Sequence, residues 1–170
     1  MAIVDSGERR EFPTGAVRDI QEGKGRCDLM PLDVLAECYL REFPDDVTGI
    51  IFDDLYRFTK CGNIGHLYNV LSRKEPFDTW ADMFLEVAKH FEEGAAKYGE
   101  NNWQRGLPVK CYIDSAVRHY LKWLREDDDE RHDRAFCWNI ICAIWTCEHK
   151  PELNGYMNRE GSEFNETPLF

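Results

Sequence analysis

The stretch DERHDRAFCWNIICAIWTCEH, residues 129–149, decides the fold of this chain. Apolar side chains such as Phe136, Trp138, Ile140 and Trp145 lie on all sides of its helical projection. A helix that is apolar all round is surrounded by other elements of the protein. The acids at its start suit the partial positive charge of a helix N-terminus. The sequence therefore predicts a central helix from residue 129 to about residue 149.

The flanking sequence predicts further helices, because apolar residues recur there at three- and four-residue steps. They cover residues 31–43, 45–60, 66–72, 79–98 and 109–125. The most secure of them begins at Thr79, a good N-cap, and stops at Gly99. Its predicted apolar stripe is Trp80, Phe84, Val87, Phe91, Ala95 and Tyr98. No useful length of chain alternates with period two, so the predicted fold class is all-α, a helical bundle.

The N-terminal 30 residues are Gly-rich and charged, which favours an irregular loop over a helix or a long strand. Arg18, Lys24 and Arg26 are interleaved there with glycines that allow the backbone to approach a ligand closely. Such cations suit the oxygens of a polyphosphate. A disordered leader is the simpler alternative. No G-K-[ST] sequence and no preceding strand occurs, which excludes a P-loop.

Composition limits the possible functions of the chain. It has 170 residues, 43% of them hydrophobic, which is enough for one domain with a real core. The net charge of -11 disfavours non-specific binding to nucleic acid or to an anionic membrane. No run of 18 apolar residues and no signal-like start is present, so a cytoplasmic location is expected. The seven cysteines are scattered and are expected to be reduced core thiols.

Polar residues in the central helix are the first candidates for chemistry. His132 and Asn139 lie two turns apart on the same stripe, where burial is costly unless each is hydrogen-bonded or ligated. Satisfied core polar residues are the simpler interpretation. Neighbouring helices offer further ligands: Asp114, His119, Glu92 and Glu93. Convergence of such groups is how helical bundles hold divalent metals, and an oxygen-rich set suits Mg²⁺ or Mn²⁺.

Two other patterns are weaker. Glu130 and Asp133 lie three residues apart, so both carboxylates lie on one side of a helix and could share a cation, although a solvated first turn is the simpler interpretation. An amide and an aromatic at the exit of the helix over 79–98, Asn102 and Trp103, could meet a base, or they could be cap and core residues. His90 is expected on the solvated side of that helix, together with Glu86, Glu93 and Lys97.

Four motifs occur in a specific order: TGAVRDxxxGKGRxDLMP over 14–31, ExGAxKYGxxNW over 92–103, DSAxRH over 114–119 and DExHxxAxxWN over 129–139. Together they resemble the dATP/dGTP diphosphohydrolase family, MazG-like enzymes found largely in bacteriophages. The resemblance covers about residues 14–31 and 84–149. It leaves residues 44–79 as a probable insertion in a single MazG-like helical domain over 1–150, followed by a polar C-terminal tail over 151–170.

The resemblance implies hydrolysis of a purine deoxynucleoside triphosphate to the monophosphate and pyrophosphate. It implies two or three Mg²⁺ or Mn²⁺ ions per site and a homo-oligomer, a dimer or a tetramer. Relatives build their site from acidic Glu-x-x-Glu and Glu-x-x-Asp pairs. Here Glu130 and Asp133 match the second pair, but the helix over 79–98 has no Glu-x-x-Glu.

The resemblance also implies roles for individual residues. The metal ligands are expected among Glu92, Glu93, Asp114, His119, Glu130, His132, Asp133 and Asn139, with Glu92, Glu93 and Asp133 as catalytic groups. The phosphates are expected to meet Arg18, Lys24, Arg26 and Lys97. The base or sugar is expected to meet Asn102 and Trp103.

Two alternatives stay open at this point. A triphosphohydrolase of histidine-aspartate type would release tripolyphosphate, and it would rely on His132 and Asp133, the one adjacent His-Asp pair. An acidic helical interaction module would have its acids on a solvated face and no buried polar residues. Buried His132 and Asn139 would argue against such a module.

Overall fold

A computed structural model describes residues 7–20 and 23–156 of the chain. This part of the chain is all-α, as predicted, apart from one hairpin of two short strands. The helices are α1 (Leu32–Glu42), α2 (Val47–Cys61), α3 (Gly65–Ser72), α4 (Trp80–Tyr98), α5 (Val109–Leu124) and α6 (His132–His149). Single 3₁₀ turns lie at Cys27–Leu29, Asn102–Arg105 and Pro151–Leu153.

The hairpin consists of β1 (Arg9–Glu11) and β2 (Val17–Asp19), paired antiparallel. It corrects the prediction that residues 1–30 form only a loop. Each strand has three residues, which is too short for an alternating pattern to be recognised. The turn between them uses Gly15 at φ 77°, a left-handed conformation that favours glycine.

Helix α6 lies at the centre of the fold, as its sequence predicts. It forms an antiparallel hairpin with α5, and α3 and α4 pack against its other sides. Phe136, Ile140 and Ala143 are among its fully or almost fully buried residues. The acidic loop between α5 and α6 brings the last turn of α5 close to the first turn of α6.

Helices α1 and α2 form a second hairpin that packs on α5. Their close approach depends on Gly49, where a Cβ atom would lie 2.7 Å from Leu40 Cγ. Phe52 of α2 contacts the ring of Tyr120 edge-on at 5.7 Å, and Thr48 Oγ1 lies 3.2 Å from the Tyr120 hydroxyl. All of α2 and all of α3 lie within residues 44–79, and their buried residues belong to the common hydrophobic core.

Helix α4 begins as predicted, because Thr79 Oγ1 accepts the backbone N–H of Asp82 at 3.1 Å. Its apolar stripe differs from the prediction. Met83, Val87 and His90 are buried, whereas Trp80 and Phe84 are 42% and 49% exposed. The buried face is the one that α6 contacts, and it is rotated away from the Trp80–Phe84 edge. Tertiary packing therefore overrides the most hydrophobic stripe of the sequence.

The start of the predicted polar tail packs on the core. Asn154 and Tyr156 are buried, and the Tyr156 ring contacts Phe58 edge-on at 5.3 Å. The rest of that tail, residues 157–170, lies outside the described residues. Among the described helices, none combines the length and the apolar character needed to cross a membrane. All seven cysteines are free; five are buried, but Cys38 and Cys61 are exposed and so are not core thiols.

Candidate functional site

A cavity of about 710 Å³ lies between the N-terminal hairpin, the second half of α4, α5 and the start of α6. It brings together nine of the predicted site residues from five separate parts of the chain. They are Arg18, Lys24, Glu92, Asn102, Trp103, Asp114, His119, Glu130 and Asn139. Arg26, Glu93, Lys97, His132 and Asp133 do not line this cavity.

Three potential metal ligands meet at one end of the cavity, and we call them the donor triad: His119, Glu130 and His132. His119 Nδ1 lies 3.0 Å from His132 Nδ1 and 3.0 Å from Glu130 Oε1. His132 Nδ1 lies 3.6 Å from the same carboxylate oxygen. Three ligand atoms on separate elements therefore converge on one point.

Asp129 contacts the second ring nitrogen of His132, Nε2, which is not one of the three ligand atoms. Its Oδ1 lies 2.8 Å from His132 Nε2, and its other oxygen accepts from Lys122 Nζ at 2.7 Å. A carboxylate on Nε2 favours the tautomer with hydrogen there, which leaves the Nδ1 lone pair free for an ion. The contacts to Lys122 and His132 hold the pKa of Asp129 at about 2, against the opposing effect of burial.

Burial and mutual contact shift the pKa values of His119 and Glu130. Burial lowers the pKa of His119, which favours the neutral ring that metals require. Burial would raise the pKa of Glu130, but the hydrogen bond and charge of His119 outweigh it and lower the pKa to about 2. Glu130 is therefore an anion at neutral pH, and burial shifts His119 toward its neutral ring.

Asp114 is buried near the triad, but it is committed to other partners. Its Oδ2 accepts from Arg118 at 2.9 Å, and its Oδ1 accepts the backbone N–H of Asp28 at 3.2 Å. Arg118 also donates to the Gly25 carbonyl at 3.2 Å. Asp114 thus ties the N-terminal segment to α5, and its charge is compensated by an arginine.

Asn139 and Arg18 form one unit on the cavity wall. Asn139 Oδ1 accepts from Arg18 Nη2 at 2.8 Å, while its amide donates to the Ala135 carbonyl at 2.8 Å. Arg18 also donates to the Cys111 carbonyl at 3.3 Å and lies 5.6 Å from the ring centre of Tyr112. Asn139 therefore positions a cation, and its oxygen, the predicted metal ligand, accepts a hydrogen bond from Arg18.

Asn102 and Trp103 line the cavity but also have structural partners. Asn102 accepts from the Val17 N–H at 2.8 Å and donates to the Val17 carbonyl at 2.9 Å. This pair of bonds imitates a strand pairing and fixes β2 over the cavity. The Trp103 ring contacts Phe91 and Trp145 edge-on at 5.2 and 5.0 Å.

The predicted phosphate-binding cations differ in their availability. Lys97 is buried and donates to Asp19 Oδ2 at 2.8 Å, and Tyr98 donates to the other oxygen at 2.8 Å. Arg26 is bound through two nitrogens to Asp28 at 2.6 Å on the exterior. Lys24 lies 3.7 Å from Asp19 and is 39% exposed at the cavity.

Glu93 and Asp133 belong to a different group, which we call the α4–α6 ion-pair network: Glu86, Glu93, Arg131, Asp133 and Arg134. Buried Arg134 donates to Glu93, and Arg131 Nε donates to Asp133 at 3.0 Å. The expectation that Glu93 and Asp133 join the other ligands is therefore not met by the geometry. Arg134 compensates the charge of Glu93 and Arg131 that of Asp133, and neither arginine was a predicted site residue.

Sequence reasoning missed several residues of the cavity wall, among them Asp129, Lys122, His90 and Arg118. His90 was expected on a solvated face but is 8% exposed, with its ring centre 5.3 Å from that of Trp138. Burial, helped by the charge of His119, lowers the pKa of His90 to about 3, so its ring is neutral. The spacing of His90 from Met83 and Val87 was an available signal. Arg118 was missed because a cation on a helix surface is common.

Comparison with known proteins gives a match to one family. The model of one family, described as dATP/dGTP diphosphohydrolase, N-terminal, matches residues 72–155. Searches of curated proteins and of solved structures gave no match. The matched range contains α4, α5, α6 and the whole donor triad, and it leaves out the motif over 14–31. The match over residues 72–155, just under half of the chain, supports the dATP/dGTP diphosphohydrolase family, whose description denotes hydrolases that act on phosphorus-containing anhydrides.

Proposed function

We propose that the chain hydrolyses purine deoxynucleoside triphosphates to the monophosphate and pyrophosphate, with divalent metal ions as cofactors. The substrates we propose are dGTP and dATP, with GTP as a further candidate, so that the enzyme supplies dGMP and depletes dATP in phage nucleotide metabolism. One observation carries the proposal: two members of the donor triad, His119 and Glu130, line the same cavity as the cations Arg18, Lys24 and Arg118.

The donor triad fits a divalent ion. His119, Glu130 and His132 would hold it, and Glu92, which lines the cavity from α4, is our candidate for the base or for a further ligand. A divalent ion at such a site lowers the pKa of bound water and neutralises phosphate charge. We propose Mg²⁺ or Mn²⁺, two or three per site, with the additional ions held mainly through the nucleotide.

Three cations are available for the phosphates. Arg18 is fixed by Asn139 and the Cys111 carbonyl, and Lys24 and Arg118 line the same wall. A fixed guanidinium can give two parallel hydrogen bonds to a phosphate, and lysine adds a point charge. These groups would bind and orient the triphosphate against the donor triad.

The rest of the cavity suits a nucleoside. Aromatic rings line it: Phe91, Tyr98, Trp103, Tyr112 and Trp138. A purine offers two flat faces for contact with such rings. Attack of water on the α-phosphorus breaks its bond to the bridging oxygen, which leaves as pyrophosphate and gives the monophosphate.

The two alternatives receive less support. A triphosphohydrolase would need Asp133 beside His132 at the ligand cluster, but Asp133 binds Arg131 on the other side. An interaction module needs no enclosed site, whereas His132 and Asn139 are buried next to a cavity. The pyrophosphate-releasing reaction is therefore our choice.

The proposal includes a homo-oligomer, a dimer or a tetramer. Trp80, Phe84 and Leu85 of α4 expose large apolar surfaces, which monomers seldom leave uncovered. Light scattering of the purified chain should give a mass of two or four subunits. A mass near 20 kDa would contradict this part of the proposal.

The reaction is tested by incubating the protein with a panel of NTPs and dNTPs, with Mg²⁺, Mn²⁺ or chelator, and resolving the products by ion exchange. Metal-dependent release of dGMP and pyrophosphate is the expected result. Deoxynucleoside with tripolyphosphate would favour the histidine-aspartate alternative. No turnover of any nucleotide with any metal would contradict the proposed function.

A further inference from the structure

We propose that the donor triad selects a transition-metal ion such as Mn²⁺, Co²⁺ or Zn²⁺ over Mg²⁺, and that it binds this ion before any nucleotide arrives. The inference concerns the site of the proposed function and rests on that function for its biological meaning. Its test needs no turnover. It departs from a site built only of acidic Glu-x-x-Glu and Glu-x-x-Asp pairs.

The distances within the triad suit a bound ion. Two ligand atoms that each lie about 2.1 Å from an ion are separated by about 3.0 Å at a right angle and by about 3.4 Å at a tetrahedral angle. The three separations here are 3.0, 3.0 and 3.6 Å. The ligand atoms therefore need to move little to bind an ion together.

The chemistry of the donors favours a transition metal. Two of the three are imidazole nitrogens, His119 Nδ1 and His132 Nδ1, and one is a carboxylate oxygen of Glu130. Imidazole suits Zn²⁺, Fe²⁺ and similar ions, whereas Mg²⁺ prefers six oxygens and keeps much of its water. Two histidines and one carboxylate on one side of an ion leave positions open for water and phosphate.

The surroundings of the triad are those of a built site. Asp129 Oδ1 lies 2.8 Å from His132 Nε2, and the other oxygen of Asp129 accepts a hydrogen bond from Lys122 Nζ at 2.7 Å. Histidine ligands of metals usually donate their second N–H to such a carboxylate, which fixes the ring. His132 is 2% exposed, so its orientation is also fixed by packing.

A metal site made only of oxygen ligands would have few unpaired carboxylates to use in this part of the structure. Asp114, Glu93 and Asp133 are each paired with an arginine. A carboxylate that already binds a guanidinium loses charge compensation if it turns to a metal ion. Glu130 is the predicted carboxylate ligand that faces the two histidines directly.

The test is calorimetric titration of the nucleotide-free, chelator-treated full chain with MgCl₂, MnCl₂ and CoCl₂ in separate experiments. We expect Mn²⁺ to bind at least about 100-fold more tightly than Mg²⁺, and Co²⁺ more tightly than Mn²⁺, as the usual order for nitrogen-containing sites requires. Bound Co²⁺ should also give a visible absorption band. Equal affinities for Mg²⁺ and Mn²⁺, or no Co²⁺ binding, would overturn the inference.

Variants assign the binding to the triad. H119A should lose Co²⁺ binding, and D129N should weaken it by about 10- to 100-fold, because Asp129 only orients His132. The matched control is H66Q, since His66 Nδ1 also lies 3.1 Å from a carboxylate, Asp54, but lies outside the cavity and without a second histidine. H66Q should bind Co²⁺ like the unaltered chain. Full Co²⁺ binding by H119A would overturn the assignment.

The outcomes separate this inference from the proposed function. Tight Mn²⁺ and Co²⁺ binding without nucleotide hydrolysis would support the metal site and contradict the proposed reaction. Hydrolysis with equal binding of Mg²⁺ and Mn²⁺ would support the reaction and contradict the selectivity. The selectivity is measured on the unaltered chain, so it stands even if H119A does not fold.

Discussion

The donor triad and the α4–α6 ion-pair network both involve the first turn of α6, yet their charges are balanced differently. In the triad, Glu130 meets two imidazole rings whose nitrogens can release a proton to admit an ion. In the network, Glu93 and Asp133 meet Arg134 and Arg131, which carry a permanent charge. Arginine cannot be deprotonated in a protein, so a carboxylate bound to it stays compensated.

The contrast between histidine and arginine partners indicates which carboxylates can serve as metal ligands. Glu92 and Glu93 are neighbours on α4, but a helix turns by about 100° between them. Glu92 lines the cavity, and Glu93 binds a buried arginine on another face. The partner of a carboxylate, more than its place in an acidic motif, therefore decides between a catalytic and a structural role.

The largest effect is expected when the triad loses its anion. E130Q removes the charged ligand, so we expect hydrolysis of dGTP to fall by about 10³-fold, which corresponds to about 4 kcal/mol of transition-state stabilisation. The rate of pyrophosphate release at saturating Mn²⁺ measures it. A loss smaller than tenfold, in a variant with unchanged circular dichroism, would remove Glu130 from the site.

Glu92 and Glu93, which are adjacent on α4, allow a cavity-lining carboxylate to be compared directly with an arginine-bound one. E92Q should lower kcat by about 10²-fold, the usual contribution of a positioned base, without loss of stability. E93Q should keep kcat within a few-fold of the unaltered chain and lower the free energy of unfolding by about 1–3 kcal/mol, since Arg134 loses its charged partner. Urea denaturation and steady-state kinetics measure the two effects. The reverse pattern would exchange the roles of the two residues.

A smaller effect is expected from the cation on the cavity wall. R18K keeps the charge but loses the fixed guanidinium that Asn139 and the Cys111 carbonyl hold, so KM for dGTP should rise by about tenfold with little change in kcat. Steady-state kinetics over a range of dGTP concentrations measures it. An unchanged KM would show that Arg18 does not contact the substrate in the bound state.

The smallest effect concerns the hairpin that covers the cavity. Burial opposes the ionised form of Asp19, but Lys97 and Tyr98 outweigh it and lower its pKa in the folded state. Its contribution to stability is therefore present above its unfolded pKa of about 3.9 and is lost as the pH falls below that value.

D19N should lower the free energy of unfolding at pH 7 by about 1–2 kcal/mol, and the difference from the unaltered chain should shrink as the pH falls below about 3.9. Thermal unfolding of both proteins across this pH range measures the effect. A difference that is independent of pH would contradict the role assigned to the Asp19 charge.

Much of the fold followed from local patterns. Helix periodicity, the Thr79 cap and the apolar composition around Phe136 depend on nearby residues, and the structure confirms them. The strands β1 and β2 were missed because three residues carry no periodic signal. The Trp80–Phe84 stripe was wrong because the position of α6, which the sequence of α4 does not contain, decides which face is buried.

The site was predicted only in part for the same reason. His119, Glu130 and His132 do converge, since hairpin geometry brings the end of α5 to the start of α6. The partners of Asp133 and Asn139, Arg131 and Arg18, could not be assigned from spacing. Arg18 reaches Asn139 across 121 positions of sequence.

We propose that the donor triad, and not the ion-pair network, holds the catalytic ion. A crystal structure with Mn²⁺ and a non-hydrolysable dGTP analogue, with anomalous scattering recorded at the manganese edge, tests it most directly. The account predicts an anomalous peak about 2.2 Å from His119 Nδ1, His132 Nδ1 and a Glu130 oxygen, with the phosphates next to it. A peak between Glu93 and Asp133, with none at the triad, would contradict it.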